Sequence, residues 1–393
     1  MTAGRTTTGN LPLDGEDLVI DFGPYEDESA CEVERIDLPR ATVAPVNDSP
    51  LLAEHTTLRL GGPATELVVA TTEAELVAAV AEADAAGTPV LVLSGGSNVV
   101  IGDEGFQGRV VKVATRGIDA ETSACYGASV RVAAGENWDD LVALTVEREW
   151  IGLETLSGIP GSVGSTPIQN VGAYGAEVSQ VISRVRTLDR STGHFKTFFP
   201  GDCRFSYRSS LFKQEPGRYV ILEVTFQFLV GPLSAPIRYP ELARALGVEV
   251  GERAPLEQVR ETVLRIRAGK GMVLDAPDHD TWSAGSFFTN PILTAREAAT
   301  LPEDAPRFEQ PDGRVKTSAA WLIARAGFEK GHPLAQRPDA PVSLSTKHTL
   351  ALTNRGSAST ADLLALAREV RDGVENRFGI RLVPEPVLVN CVI

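Results

Sequence analysis

Two glycine-rich loops are the strongest chemical signals in this chain of 393 residues. The first, Ser94-Gly95-Gly96-Ser97-Asn98, directly follows the apolar run Val90–Leu93. Glycine lets a backbone approach a ligand closely, and successive N–H groups in such a turn can cradle an anion. An ordinary turn explains this loop equally well. The second runs from Gly152 to Gly175, six glycines in 24 residues, among Ser165, Thr166, Gln169 and Asn170. That much backbone freedom is costly in a plain connector. A donor-rich backbone pressed against a phosphate or pyrophosphate accounts for it better. Neither loop has the GxGxxG or GxxxxGK[ST] spacing, so neither a Rossmann dinucleotide fold nor a P-loop is indicated.

The remaining reactive residue types exclude more than they assign. His55, His194, His279, His332 and His348 show neither HExxH nor HxxxH spacing, so no metal is expected. Cys31, Cys125, Cys203 and Cys391 lie far apart, which argues against a cysteine zinc site and a disulfide scaffold. Taken alone, Arg208 reads as a surface or ion-pair arginine, Ser286 as a loop serine and Glu385 as a solvated carboxylate between two prolines. The formal charge of −15 repels phosphate backbones and disfavours nucleic-acid binding. No apolar run approaches the ~18–20 residues of a membrane span, and the amino terminus has no apolar signal region, so a cytoplasmic protein is expected.

The elements that must position these loops are mixed. Leu67–Ala70 reads as a strand, Thr72-x-x-Glu75 as a capping box opening a helix that ends before Gly87, and Val90–Leu93 as a second strand. Strands are expected at Arg109–Val113 and Ser129–Ala134, with a helix over Asn137–Glu149. Val220, Leu222, Val224, Phe226 and Phe228 alternate as in a half-buried strand. Later helices are expected at 256–268, 317–326 and 360–378, the last closed by Gly379. Residues 1–50 carry eleven acidic side chains against three arginines. Residues 1–48 are therefore expected to be an acidic, disordered tail.

The chain resembles the UDP-N-acetylenolpyruvylglucosamine reductase (UDP-N-acetylmuramate dehydrogenase) family. The resemblance rests on segments in the family's order: TLRLGGPA (57–64), LVLSGGSNVVIGDEGFQGRVV (91–111), AAGENWDDLV (133–142) and GLETLSGIPGSVGSTPIQNVGAYGAEV (152–178). CRFSYRSSLFK (203–213), SAGSFFTNP (283–291), KTSAAWLI (316–323) and PEPV (384–387) complete it. It implies an α+β chain with a two-subdomain FAD-binding fold of the vanillyl-alcohol-oxidase type and a separate α+β substrate-binding domain. The expected boundaries are 50–118 for the first FAD-binding subdomain, with 380–393 returning near it, 119–250 for the second, and 268–379 for the substrate domain.

The resemblance also implies a reaction. NADPH, as co-substrate, reduces non-covalently held FAD. Flavin N5 then delivers hydride to C3 of the enolpyruvyl ether of UDP-N-acetylglucosamine, and Ser286 protonates C2. Arg208 and Glu385 stabilise the enolate between these steps, Glu385 as a neutral donor because a second anion beside it opposes its ionisation. Gly95, Gly96, Ser97 and Asn98, with Gly161, Ser165, Asn170 and Gly172, are implied flavin contacts. Tyr207, Tyr239, Lys270, Asn290 and Lys316 are implied substrate contacts. The product is a peptidoglycan precursor, and a bacterial cytoplasmic monomer is expected. Thr56 stands where many members have asparagine. The rival readings are another FAD oxidoreductase of this fold acting on an alcohol or sugar, and an inactive sugar-nucleotide-binding paralogue.

Overall fold

In a computed structural model of the chain, residues 32–36, 38 and 47–393 are described. Three units of structure meet around one cleft.

The first unit is a β-α-β arrangement. Strands Ala64–Ala70, Val90–Leu93 and Phe106–Val113 form a parallel sheet with the last in the middle. Helix Glu73–Ala85 joins the first two strands. Its capping box is complete: the Thr72 hydroxyl accepts from the Glu75 N–H at 3.2 Å, and the Glu75 carboxylate accepts from the Thr72 N–H at 3.1 Å. Leu76, Ala79, Val80 and Ala83 form the buried side of the helix, recurring at helical spacing. Strands Ala64–Ala70 and Phe106–Val113 each begin three residues earlier than their apolar runs predict, where Ala64 pairs with Phe106 across a register shift.

The second unit is a seven-stranded sheet, antiparallel throughout, organised on the long strand Tyr219–Val230. Its alternating residues Val220, Leu222, Val224, Phe226 and Phe228 are all buried. Trp150 stacks on Phe228 with ring centroids 6.0 Å apart, and Trp138 tilts against Phe226 at 6.3 Å. Trp138 opens helix Trp138–Glu147, whose first amides are capped by Asn137. Strands Ile182–Asp189 and His194–Phe198 complete one edge and were not legible as strands in the sequence. At the other edge Glu34–Ile36 pairs antiparallel with Ile118–Ser123, and Arg35 meets Glu121 at 3.3 Å. The expected disorder does not hold for Glu34–Ile36, which ladder bonds, this ion pair and the packing of Ile36 on the core hold in place. The rest of that expected tail, except Glu32, Val33, Leu38, Asn47 and Asp48, lies outside the described residues.

A helix pair, Pro240–Leu246 and Leu256–Gly269, packs on its own small core of Ile237, Leu242, Val259 and Val263. The third unit gathers helices Ala319–Arg325 and Thr360–Phe378 with short strands such as Val342–Leu344 and Leu352–Asn354. Phe287 and Phe288 lie in its core. Gly379 ends the long helix in the left-handed conformation, with φ of 68°. The chain then returns to the first unit, where Val387–Val389 pairs in parallel with Val99–Ile101. Cys203 and Cys391 are free thiols, and Cys125 is held in a disulfide. Among the described residues no helix is long and apolar enough to cross a membrane.

One contact joins the first and third units through a helix terminus. The Asp103 carboxylate accepts from the Thr360 and Ala361 N–H groups at 2.7 and 2.9 Å, where the helix's first donors have no partners within the helix. Asp103→Ala is expected to lower unfolding stability by about 1–2 kcal/mol, the scale of a lost cap, read as a lower urea midpoint with unchanged slope. A midpoint equal to the parent's would show that this contact does not hold the units together.

Candidate active site

The strand end Leu93 hands the chain to Ser94–Asn98, and Trp138, first residue of helix Trp138–Glu147, holds the second loop by donating to the Leu156 and Gly161 carbonyls, each at 3.1 Å. The two glycine loops face each other. A side chain on Gly95 would place its Cβ 2.5 Å from the Gly161 Cα, and one on Gly96 would place it 1.9 Å from the His55 carbonyl oxygen. These glycines are therefore required first for backbone packing against backbone. Together the loops wall a cavity of about 330 Å³. Gly95, Gly96, Ser97, Asn98, Gly161, Ser165 and Gly172 line it, and so do Arg208, Ser286 and Glu385.

Three distant segments bring that trio together. Arg208 sits in a tight turn with φ of 53°, its guanidinium donating to the Gly172 carbonyl at 2.8 Å. Ser286 precedes the two buried phenylalanines that anchor its loop in the third unit. The Glu385 N–H donates to the Phe287 carbonyl at 2.8 Å, which fixes the carboxyl segment beside the serine loop. Arg208 Nε lies 2.9 Å from Glu385 Oε1, yet its N–H does not point along that line and finds no aligned acceptor. The contact is an ion pair with a misdirected donor, so part of the guanidinium's hydrogen-bonding capacity is unspent at the cavity wall.

Around the pair runs a polar network. Gln169 donates to Glu385 Oε1 at 3.3 Å, Asn98 donates to Gln169 Oε1 at 2.9 Å, and Lys213 reaches the same Gln169 oxygen at 3.3 Å and the Arg208 carbonyl at 3.2 Å. Burial pushes the Glu385 carboxyl above the usual carboxylate range, against the opposing pull of Arg208, Lys213 and the Gln169 hydrogen bond. The short ion pair alone would argue for a fully ionised carboxylate. The misaligned Nε–H and the depth of burial favour a carboxyl that takes up a proton readily.

The other expected residues fall elsewhere. Asn170 is buried but off the cavity wall: its amide donates to Glu177 at 2.7 Å and Ser206 at 3.3 Å, and its oxygen accepts from the Ser179 N–H. With φ of 47°, a conformation asparagine tolerates well, it shapes the loop from within rather than lining the cavity. Tyr207 and Lys316 cluster beside Arg208, the guanidinium 5.4 Å and the Lys316 ammonium 4.7 Å from the Tyr207 ring, and the Asn290 side chain nearby accepts from the Ala319 N–H at 3.0 Å. Tyr239 and Lys270 form a second group on the helix pair. Tyr239 packs edge-on against Tyr174, and Lys270 donates to Glu241 at 2.7 Å. None of these five is on the cavity wall itself.

Sequence reading passed over Lys213 and Arg267, which do line the cavity. Arg267 is nearly fully buried, donates to the Met272 carbonyl at 2.8 Å, and leaves its Nε without a partner. Lys213 stands at the end of a segment that carries the resemblance and Arg267 stands outside all of them, and nothing in their spacing distinguishes either from a surface cation. Across the cleft, burial and the cations Lys270, Lys330 and Arg267 push His348 down to about 4, with Glu241 opposing, so the imidazole is neutral at physiological pH.

A phosphate-bearing cofactor fits these walls. The N–H groups of Gly95, Gly96, Ser97 and Asn98 have no acceptor among the described residues, and the buried Ser94 hydroxyl is likewise unpartnered. Two facing glycine loops on a β-α-β unit and an antiparallel sheet, with a third unit closing the cleft, define an FAD-binding oxidoreductase. Residues 64–198 match the model of an FAD binding domain, and residues 276–389 match that of the UDP-N-acetylenolpyruvoylglucosamine reductase C-terminal domain. Reductases of that name from Cutibacterium acnes and Streptomyces coelicolor are 59% and 56% identical to this chain, covering 95% and 91% of it and 99% and 94% of their own lengths. The crystal structure of the Thermus caldophilus reductase superposes with a TM-score of 0.59 at 25% identity, over 91% of this chain and 99% of that one. The chain belongs to the UDP-N-acetylenolpyruvoylglucosamine reductase family.

Gly96→Ala is expected to force the first loop off the His55 carbonyl, so that the protein purifies with much less flavin absorbance per chain. Gly193→Ala is the control, since that glycine also has positive φ but nothing within 4 Å. It is expected to cost about 1 kcal/mol of stability and no flavin. Equal flavin loss in both variants would mean that loop approach is not what holds the cofactor.

Proposed function

We propose that the protein reduces the enolpyruvyl ether of UDP-N-acetylglucosamine to UDP-N-acetylmuramate, using NADPH, in peptidoglycan precursor synthesis in the bacterial cytoplasm. The observation that carries this reading is the convergence of Arg208, Ser286 and Glu385 on the cavity that the glycine loops wall. Bound FAD supplies the reducing equivalents, accepted from NADPH.

The chain's own residues then have to manage charge. The substrate's carboxylate is conjugated to the alkene, and reduction at C3 drives further negative charge onto it. Arg208 offers a permanent cation whose Nε–H is unspent, and it takes the substrate carboxylate as its partner. Glu385, pressed beside that second anion in a buried site, takes up a proton and donates it as a hydrogen bond to the developing enolate. Gln169 and Asn98 hold the Glu385 carboxyl in place. Ser286 Oγ delivers the proton to C2, which completes the addition of two hydrogens across the double bond. Asn98 and the free N–H groups of residues 95–97 hold the cofactor's pyrophosphate. Tyr207, Asn290 and Lys316 border the sugar nucleotide on one side of Arg208, and Tyr239 and Lys270 border it on the other.

Two measurements test these roles. In anaerobic stopped-flow, Ser286→Ala is expected to leave flavin reduction by NADPH at the parent rate and to slow reoxidation by the enolpyruvyl nucleotide about 10²–10⁴-fold, the usual range for lost acid catalysis. Equal losses in both half-reactions would remove Ser286 from the proton step. Lys213→Met takes away a cation that pulls Glu385 down. Glu385 then keeps its proton to higher pH, so the alkaline limb of the reoxidation profile is expected to move upward. A limb that stays or moves downward would rule out a neutral Glu385 as the working form.

A further inference from the structure

We propose that Lys112 is a positioning residue for the cofactor's pyrophosphate: its ammonium fixes the Ser94 carbonyl and places a positive charge behind the N–H groups of residues 95–98. The inference rests on the flavin reading of the site. Lys112 lies near the end of the central strand Phe106–Val113, in register with Leu93 on one side and Val69 on the other. Leu93 is the last residue before the first glycine loop, so the lysine reaches the point where strand becomes loop. Its Nζ donates to the Ser94 carbonyl at 2.5 Å.

Three features set this contact apart from an ordinary surface lysine. An ammonium carries three donors, and among the described residues this carbonyl is its one acceptor. No carboxylate faces it. The neighbouring strands present Val69 and Leu93, and Arg109 on the same strand is occupied by Glu66 and Glu82. Burial alone pushes the amine down to about 8. An unpaired buried cation is unfavourable unless an anion compensates it.

The peptide geometry supplies the link to the cavity. In a trans peptide the C=O of Ser94 and the N–H of Gly95 point in opposite directions, so anchoring the carbonyl on Lys112 turns that N–H away from it. Ser94 through Asn98 line the cavity, their N–H groups have no acceptor among the described residues, and the buried Ser94 hydroxyl is unpartnered. A pyrophosphate in this cradle would be the missing counter-charge. A bound anion raises the lysine's affinity for its proton. By linkage, tight cofactor binding is then fully present below pH 8 and is lost as pH rises through the higher value of the loaded protein.

The test follows flavin fluorescence on dilution of the holoenzyme at fixed ionic strength, with FAD and with riboflavin, which lacks the phosphates. Wild-type FAD affinity is expected to weaken about tenfold between pH 7 and 9.5, one pKa unit of linkage, while riboflavin affinity stays level. Lys112→Met is expected to bind FAD about tenfold more weakly at pH 7, with no pH dependence over this range, and Lys112→Arg to keep the affinity at pH 7 while losing the pH dependence. The wild-type series needs no variant to fold, and a flat wild-type profile overturns the proposal. Equal loss of FAD and riboflavin in Lys112→Met also overturns it, since that marks a merely structural lysine. Wild-type protein that binds no flavin at any pH overturns the flavin reading itself, and this inference with it.

Discussion

A guanidinium and a carboxyl group that must share a buried wall organise this molecule. Arg208 and Glu385 are 177 positions apart in the chain, and the ion pair between them forms only where the tight turn at Arg208 meets the returning carboxyl-terminal segment. Bringing either group out of water without the other would leave an uncompensated charge at a cost of several kcal/mol. The surrounding network lowers that cost: Gln169 and Asn98 supply hydrogen bonds from two further segments, and Lys213 adds charge from Arg208's own. The parallel pairing of Val387–Val389 with Val99–Ile101 is what returns Glu385 to the first glycine loop. The architecture of three units can be read as the scaffold this convergence needs.

The glycine loops serve two constraints at once. Gly95 and Gly96 are needed because other backbone lies where their side chains would be. The same close approach leaves a row of N–H groups facing the cavity without acceptors. Packing and binding are thus not competing explanations for the glycines. Loops pressed together this tightly have no room for side chains to satisfy their own donors, so an external anion becomes the natural acceptor.

Charge is distributed unevenly in a way that suits the proposed substrate. The chain carries a formal −15 overall, but Arg208, Lys213 and Arg267 stand on the cavity wall, and Lys270 and Lys316 flank it. In a cleft of reduced dielectric these few cations weigh more than the solvated acids elsewhere, which salt and water screen. A dianionic nucleotide diphosphate bearing a carboxylate is the kind of ligand that such a cleft within an acidic surface would select.

Much of this was legible in the sequence. The capping box at Thr72, the alternation from Val220 to Phe228, the helix closed by Gly379 and both glycine loops are local patterns, and local patterns depend on backbone physics that a short window contains. Family resemblance likewise pointed to Arg208, Ser286 and Glu385. The ordered strand Glu34–Ile36 was missed because its stability comes from a partner more than 80 residues away rather than from its own composition. Asn170 is expected at the cofactor from the resemblance of its loop, and only the folded backbone shows that its amide group is engaged by Glu177, Ser206 and Ser179. Lys112, Lys213 and Arg267 read as ordinary cations until burial removed their water. The sequence by itself determined the segments and their residue chemistry, since these follow from short-range sterics and hydrophobic periodicity. Tertiary structure alone decided which polar groups are desolvated together, because burial and distance belong to the folded chain and not to any stretch of it.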